Sequence, residues 1–116
     1  MENLIEIKKS KFFGYLFDVN SLEEVTKILE KLKKEHKKAT HICYAYKIKN
    51  GQEIVKFNDD GEPSGTAGRP ILNVIEKKNL QNIMVCVVRY FGGIKLGAGG
   101  LVRAYTKCAS DLFKGE

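Results

Sequence analysis

Residues Ile83-Met84-Val85-Cys86-Val87-Val88 are apolar without a break. Successive side chains of a strand point to opposite faces, so a run of this kind calls for a strand covered on both. At 116 residues the chain has the length of one domain with a single core. This run is its predicted central strand, and everything else must pack around it. It ends at Arg89-Tyr90 and runs into a glycine-rich stretch.

The flanking segments supply the packing partners. Phe12 to Val19 is aromatic and apolar and reads as a strand. Gly14 inside it marks a bulge or a close neighbour. Ile5 to Lys9 alternates only weakly. Ser21 with Glu24 three residues on is a capping box. The helix after it places Leu22, Val25, Ile28, Leu29 and Leu32 on one face. Lys33, Lys34, Lys37 and Lys38 crowd its end, where cations suit the helix dipole. His41 to Lys49 alternates as a strand, with Ile42, Tyr44, Tyr46 and Ile48 on one face and His41, Cys43, Ala45 and Lys47 on the other. Asn50-Gly51 is a hairpin signal, and Gln52 to Phe57 is the return strand. Pro70 opens a second helix that buries Ile71, Leu72, Val74, Ile75 and Leu80. A last helix from about Gly99 packs through Leu101, Val102, Tyr105, Cys108, Ala109, Leu112 and Phe113. The order strand, helix, two strands, helix, strand, helix predicts an α+β or α/β two-layer sandwich.

Eight of the eleven glycines fall in two stretches, Asp59-Asp60-Gly61-Glu62-Pro63-Ser64-Gly65-Thr66-Ala67-Gly68-Arg69-Pro70 and Val88 to Tyr105. Gly97-Ala98-Gly99-Gly100 stands where a turn feeds a helix N-terminus, an arrangement that exposes backbone N–H groups to an anion. Arg89, Lys95 and Arg103 can add charge there, and Arg69 can join from the first stretch. Asp60 and Glu62 are read as supporting carboxylates. The alternative is that the glycines allow tight packing while the arginines pair with these carboxylates. A Walker pattern fails, because Ala98 and Gly99 stand where Lys and Ser/Thr are required. Asp59, Asp60 and Glu62 flank Gly61 and Pro63 and are ordinary turn residues before they are a Mg²⁺ site or acid and base. His41 and Cys43 share a strand face, but a nucleophile pair also needs an oxyanion site. No catalytic residue, metal or cofactor is predicted.

The formal net charge is +6. Residues 1–60 contribute +2 and residues 61–116 contribute +4. The excess therefore lies mainly with the second glycine-rich stretch and favours an acidic partner such as RNA. No apolar run approaches the roughly 20 residues of a membrane helix. The N-terminus lacks the order of a signal peptide. Cys43, Cys86 and Cys108 are widely spaced within apolar stretches, which fits reduced, buried thiols and a cytoplasmic protein.

DGEPSGTAGRP followed by VRYFGGIKLGAGGLVRAY, with KKSKFFGYLFDV and KKATHICYAYKI before them, resembles the N-terminal domain of the YigZ/IMPACT family from about Ile7 to Leu112. The resemblance implies a β-sheet with helices on one side and a left-handed βαβ crossover, similar to domain IV of translation elongation factor G and to a small-subunit ribosomal protein domain. It also implies a second, ferredoxin-like domain, so residues 1–116 are read as the single N-terminal domain with the second one absent. In function it implies a non-enzymatic module of translation or its regulation, contacting RNA or a ribosome-associated protein; the residues read above for that contact are Arg69, Arg89, Lys95 and Arg103, with Gly97, Gly99 and Gly100 supplying backbone N–H groups. Eukaryotic IMPACT proteins bind a regulator of the kinase that senses amino-acid starvation. The competing classes are a protein-docking domain using Tyr90-Phe91, without RNA, and an enzyme acting on a phosphorylated small molecule.

Overall fold

The structure, a computed structural model, describes residues 1–114; Gly115 and Glu116, the end of the expected domain, lie outside the described residues. Five strands and three helices follow in the order β1 (Glu2–Ile7), β2 (Ser10–Asp18), α1 (Leu22–Glu35), β3 (His41–Asn50), β4 (Gln52–Asn58), α2 (Gly68–Lys77), β5 (Ile83–Tyr90) and α3 (Gly97–Asp111). All strands join one sheet in the order β1-β2-β5-β3-β4, and every neighbouring pair is antiparallel. The apolar run of β5 is the central strand, as its composition requires. β2 and β3 flank it and so run parallel to each other, joined through α1, which is the relation a βαβ crossover needs.

The faces of β5 separate two cores. Val85 and Val87 point into the larger one, with Phe12, Cys43 and Ala45 from the sheet, Ile71, Leu72 and Ile75 from α2, and Leu101, Tyr105 and Cys108 from α3. Met84 and Cys86 point the other way, to Tyr46, Ile48, Val19 and the Val25 and Leu32 side chains of α1. Each fully buried aliphatic side chain stabilises the fold by about 1.5–3 kcal/mol. Sheet, α2 and α3 make the expected two-layer core of this α+β fold. The helices do not all lie on one side, however. A strand apolar on both faces needs a second cover, and α1 supplies it.

Local chemistry sets the remaining boundaries. Ser21 Oγ caps α1 by accepting from the Glu24 N–H at 3.2 Å. Glu24 reaches back to the Asn20 N–H at 3.2 Å, one residue beyond the Ser21 N–H of a strict capping box. Gly14 carries no bulge; a Cβ there would overlap Asn3 of β1 and crowd Cys108 of α3. The expectations also missed the extent of β1, the start of α3 and the exposure of two helical side chains. The weak alternation of Ile5 to Lys9 hid β1, which is an edge strand with one face open to solvent. α3 begins at Gly97, two residues before Gly99. Leu22 and Val102 lie exposed, on the outer sides of their helices. No helix among the described residues is long and apolar enough to cross a membrane.

Candidate functional site

Strand register gathers both glycine-rich stretches at one end of the sheet. Ile7 pairs with Ser10, Lys11 with Tyr90, His41 with Arg89 and Tyr44 with Asn58. The Lys8-Lys9 turn, the start of β3, the end of β5 and the loop after β4 therefore share that end. A buried ion pair clasps the two stretches together. Arg89 Nη1 of the second donates to Glu62 of the first, at 2.8 Å to Oε2 and 3.0 Å to Oε1. Arg89 is only 5% exposed and Glu62 7%. The Tyr105 hydroxyl donates to Glu62 Oε2 from α3. His41 Nε2 stands 3.3 Å from Glu62 Oε1, while its Nδ1 donates to the Asp60 carbonyl at 2.7 Å. Arg89 Nη2 donates to Ser10 Oγ at 3.3 Å. Its guanidinium sits between the Phe12 and Phe91 rings, 5.6 and 5.5 Å from their centroids.

The carboxylates of the first stretch are all engaged. Asp59 closes the N-terminus of α2: Oδ1 accepts from Gly68 at 2.7 Å and Ala67 at 3.1 Å, and Oδ2 from Gly65 at 3.0 Å. Asp60 Oδ2 accepts the Ile42 N–H at 2.6 Å. α3 is different. Its N-cap is Leu96, with no side-chain cap and no acidic residue in the first turn, so its N–H groups and dipole face outward. Gly97 turns the chain into this helix with a φ of 75°, a value that side chains resist. Gly92 does the same work by size: a Cβ there would overlap the Lys9 carbonyl, so this glycine lets the β1–β2 turn lie against the second stretch.

Three hollows adjoin around residues 91–97. The central one, a cleft of about 400 Å³, is lined by Thr40, His41, Glu62, Arg89, Lys95 and Gly97 among others. It shares Phe91 with a hollow lined by Lys9, Lys11, Phe13 and Tyr90, and Leu96 with one lined by Lys8, Gly100, Arg103 and Lys107. The sequence-predicted residues divide accordingly. Lys95 and Gly97 line the cleft. Arg89 is there too, but it is the buried partner of Glu62 rather than a free cation. Gly100 and Arg103 belong to the adjoining hollow, and Gly99 lies exposed between. Arg69 is not brought to the cleft; its guanidinium lies 5.9 Å from the Phe57 ring on β4. Asp60 and Glu62 stand at the same end of the sheet, held by the bonds above. Sequence reasoning missed Lys8, Lys9, Lys11 and Thr40. The signal for the lysines was the unread β1–β2 turn. Among the described residues, Lys8, Lys9, Lys11, Lys95 and Arg103 make no ion pair.

Burial pushes the Tyr105 phenol far above its ordinary range, and the Glu62 carboxylate adds to the rise. Burial likewise raises the Cys43 thiol, against a lowering hydrogen bond with Tyr105, and the carboxylates of Glu62, Asp60 and Asp59 raise it further. Cys43 Sγ donates to the Asp59 carbonyl at 3.2 Å, and both ring nitrogens of His41 face other acceptors. The pair is therefore a structural thiol beside a clamped imidazole, not a nucleophile with its base.

The Impact N-terminal domain family matches residues 8–113. The IMPACT family member YvyE of Bacillus subtilis is 52% identical over 110 residues, covering 95% of this chain and 51% of that protein. A crystal structure of a hypothetical protein superposes with a TM-score of 0.92 at 37% identity, over 98% of this chain and 56% of the other. The two-domain translational regulator Yih1 superposes with a TM-score of 0.58 at 26% identity, over 92% and 45%. The chain thus spans about half the length of these relatives. Motifs, fold and matched residues agree, and the chain belongs to the Impact N-terminal domain family.

Proposed function

We propose that this domain is a non-enzymatic binding module serving translational regulation, and that it contacts RNA through the basic surface around its second glycine-rich stretch. The observation that carries the reading is the gathering of Lys8, Lys9, Lys11, Lys95 and Arg103, exposed and without ion pairs among the described residues, beside the open N-terminus of α3. Cations and outward N–H groups together suit a phosphate backbone. A binding role rather than catalysis is supported by the structural engagement of Asp59, Asp60, Glu62, His41 and Cys43. A tie to translation is supported by kinship with the translational regulator Yih1.

The test is fluorescence anisotropy with a labelled RNA at low and near-physiological salt. Wild type is compared with Lys95→Ala/Arg103→Ala and with Lys9→Ala/Lys11→Ala. Arg89 is left intact, because its loss would disturb the fold. Binding that weakens with salt, with a slope reduced in each variant by about 0.7 per lost phosphate contact, supports the reading. Absence of binding at low salt refutes it and favours a protein partner on the same surface.

A further inference from the structure

Phe91 lies between the central cleft and the Lys9–Lys11 hollow, lining both, and the residue is 46% exposed. Phe91 is one of several exposed large apolar side chains, and what sets it apart is that it stands among cations. This one is also held in place. Its N–H donates to Thr40 Oγ1 at 3.0 Å, and Thr40 N–H in turn donates to the Arg89 carbonyl at 2.8 Å. The guanidinium of Arg89, fixed by Glu62 and Ser10, backs the ring. The adjoining hollow is lined by two half-buried rings, Tyr90 packed edge-on to Phe13 at 5.6 Å, and His36 bridges the hydroxyls of Tyr15 and Tyr90 at 2.7 and 2.6 Å. Cations flank Phe91 on both sides, Lys95 on one and Lys9 and Lys11 on the other.

We infer that this surface takes an unpaired RNA strand, with one base laid on the Phe91 ring and the neighbouring phosphates on the flanking cations. The inference rests on the RNA reading above and narrows it. Aromatic rings set in a basic track suit a single strand, whose base faces are free; within a duplex those faces are already stacked. Stacking of this kind is tolerant of base identity, so the site distinguishes unpaired from paired RNA rather than one sequence from another. The bond to Thr40 and the packing on Arg89 fix the platform before the strand arrives, which lowers the ordering cost of binding.

The experiment uses fluorescein-labelled 12-nucleotide oligouridine, an abasic 12-mer with the same number of phosphates, and a 12-base-pair RNA duplex. Wild type is compared with Phe91→Ala and Phe91→Leu, at two salt concentrations. Phe91→Leu keeps an apolar cover over Arg89, and thermal melting of both variants verifies the fold. Both substitutions should weaken oligouridine binding about 5- to 150-fold while leaving the salt slope unchanged. Wild type should bind the abasic strand as weakly as the variants bind oligouridine, and oligouridine more tightly than duplex. If the variants bind oligouridine like wild type, or if the abasic strand or the duplex binds equally well, the stacking inference falls while phosphate recognition stands. If wild type binds none of the three at low salt, the RNA reading itself fails, and exposed Phe91 and Ile94 become the anchors of a protein interface.

Discussion

Removing the Glu62 carboxylate tests whether the two glycine-rich stretches are clasped by a buried ion pair. Arg89 is 5% exposed in the native fold, and in Glu62→Ala it keeps only Ser10 Oγ among its present side-chain hydrogen-bond partners. Leaving one member of a buried pair uncompensated costs about 3–5 kcal/mol. A domain of this size has about 5–15 kcal/mol in total, so the loss is a large fraction of its stability and lowers Tm by about 10–20 °C. The chain has no tryptophan, so urea unfolding is followed by far-UV circular dichroism. The midpoint should fall while the m-value stays constant. Replacing both partners, Glu62→Ala with Arg89→Met, removes the buried charge altogether and should recover at least about 1 kcal/mol relative to Glu62→Ala alone. A cost below about 1 kcal/mol for Glu62→Ala would mean that the pair behaves like a screened surface contact. Strict additivity of the double variant would mean that the two side chains are not coupled. Either result refutes the clasp.

Other perturbations test neighbouring parts of the argument. Gly92→Ala must push the Lys9 carbonyl away, so it should cost about 1–3 kcal/mol and move amide resonances of the β1–β2 turn; unchanged spectra would show that the close approach is not required. Tyr105 has a folded-state pKa raised by burial, so its contribution is fully present below about pH 10 and is lost as pH rises above that value, by about 1.4 kcal/mol per pH unit. Tyr105→Phe should flatten that alkaline limb by one proton's worth, read from urea midpoints between pH 9 and 11. The three thiols are buried, and burial with the nearby Asp111 charge pushes Cys108 up to about 12. At pH 8 the folded chain should resist a thiol-reactive disulfide reagent that titrates all three after unfolding; rapid reaction of any one in the folded state would contradict the packing of that cysteine.

Much of the fold was legible because period-2 alternation and unbroken apolarity report directly on burial. The run from Ile83 to Val88 identified the central strand, the Asn50-Gly51 hairpin joined β3 to β4, and Pro70 marked the first turn of α2. What escaped were features decided by tertiary contact. β1 has one face in water and too little apolar contrast to announce itself, yet its pairing with β2 brings Lys8 and Lys9 to the site. Arg89 and Lys95 carry the same formal charge in the sequence. Only the fold shows that one lies under Phe91 against Glu62 while the other lines an open cleft. Arg69 shares a glycine-rich stretch with Glu62 but stands at the start of α2, and that helix carries it to Phe57.

That division between buried and open cations bears on what the glycine-rich stretches are for. If Arg89 were a ligand for phosphate, Glu62 beside it would compete with every anion that approached. Placed beneath the surface, the same pair does something else: it ties the first stretch to the second and stiffens the base of Phe91, while nearly cancelling its own field. The open cations at this end of the sheet are then lysines and Arg103 on its rim, beside the uncapped start of α3. Long, hydrated lysine side chains suit a flexible, sequence-tolerant phosphate track better than the rigid bidentate fork of arginine. A substitution such as Lys95→Arg should therefore leave RNA affinity within about threefold of wild type, whereas Lys95→Glu should abolish salt-sensitive binding at that position. A strong gain from Lys95→Arg, measured by the same anisotropy titration, would point instead to a geometrically fixed anion pocket in the central cleft.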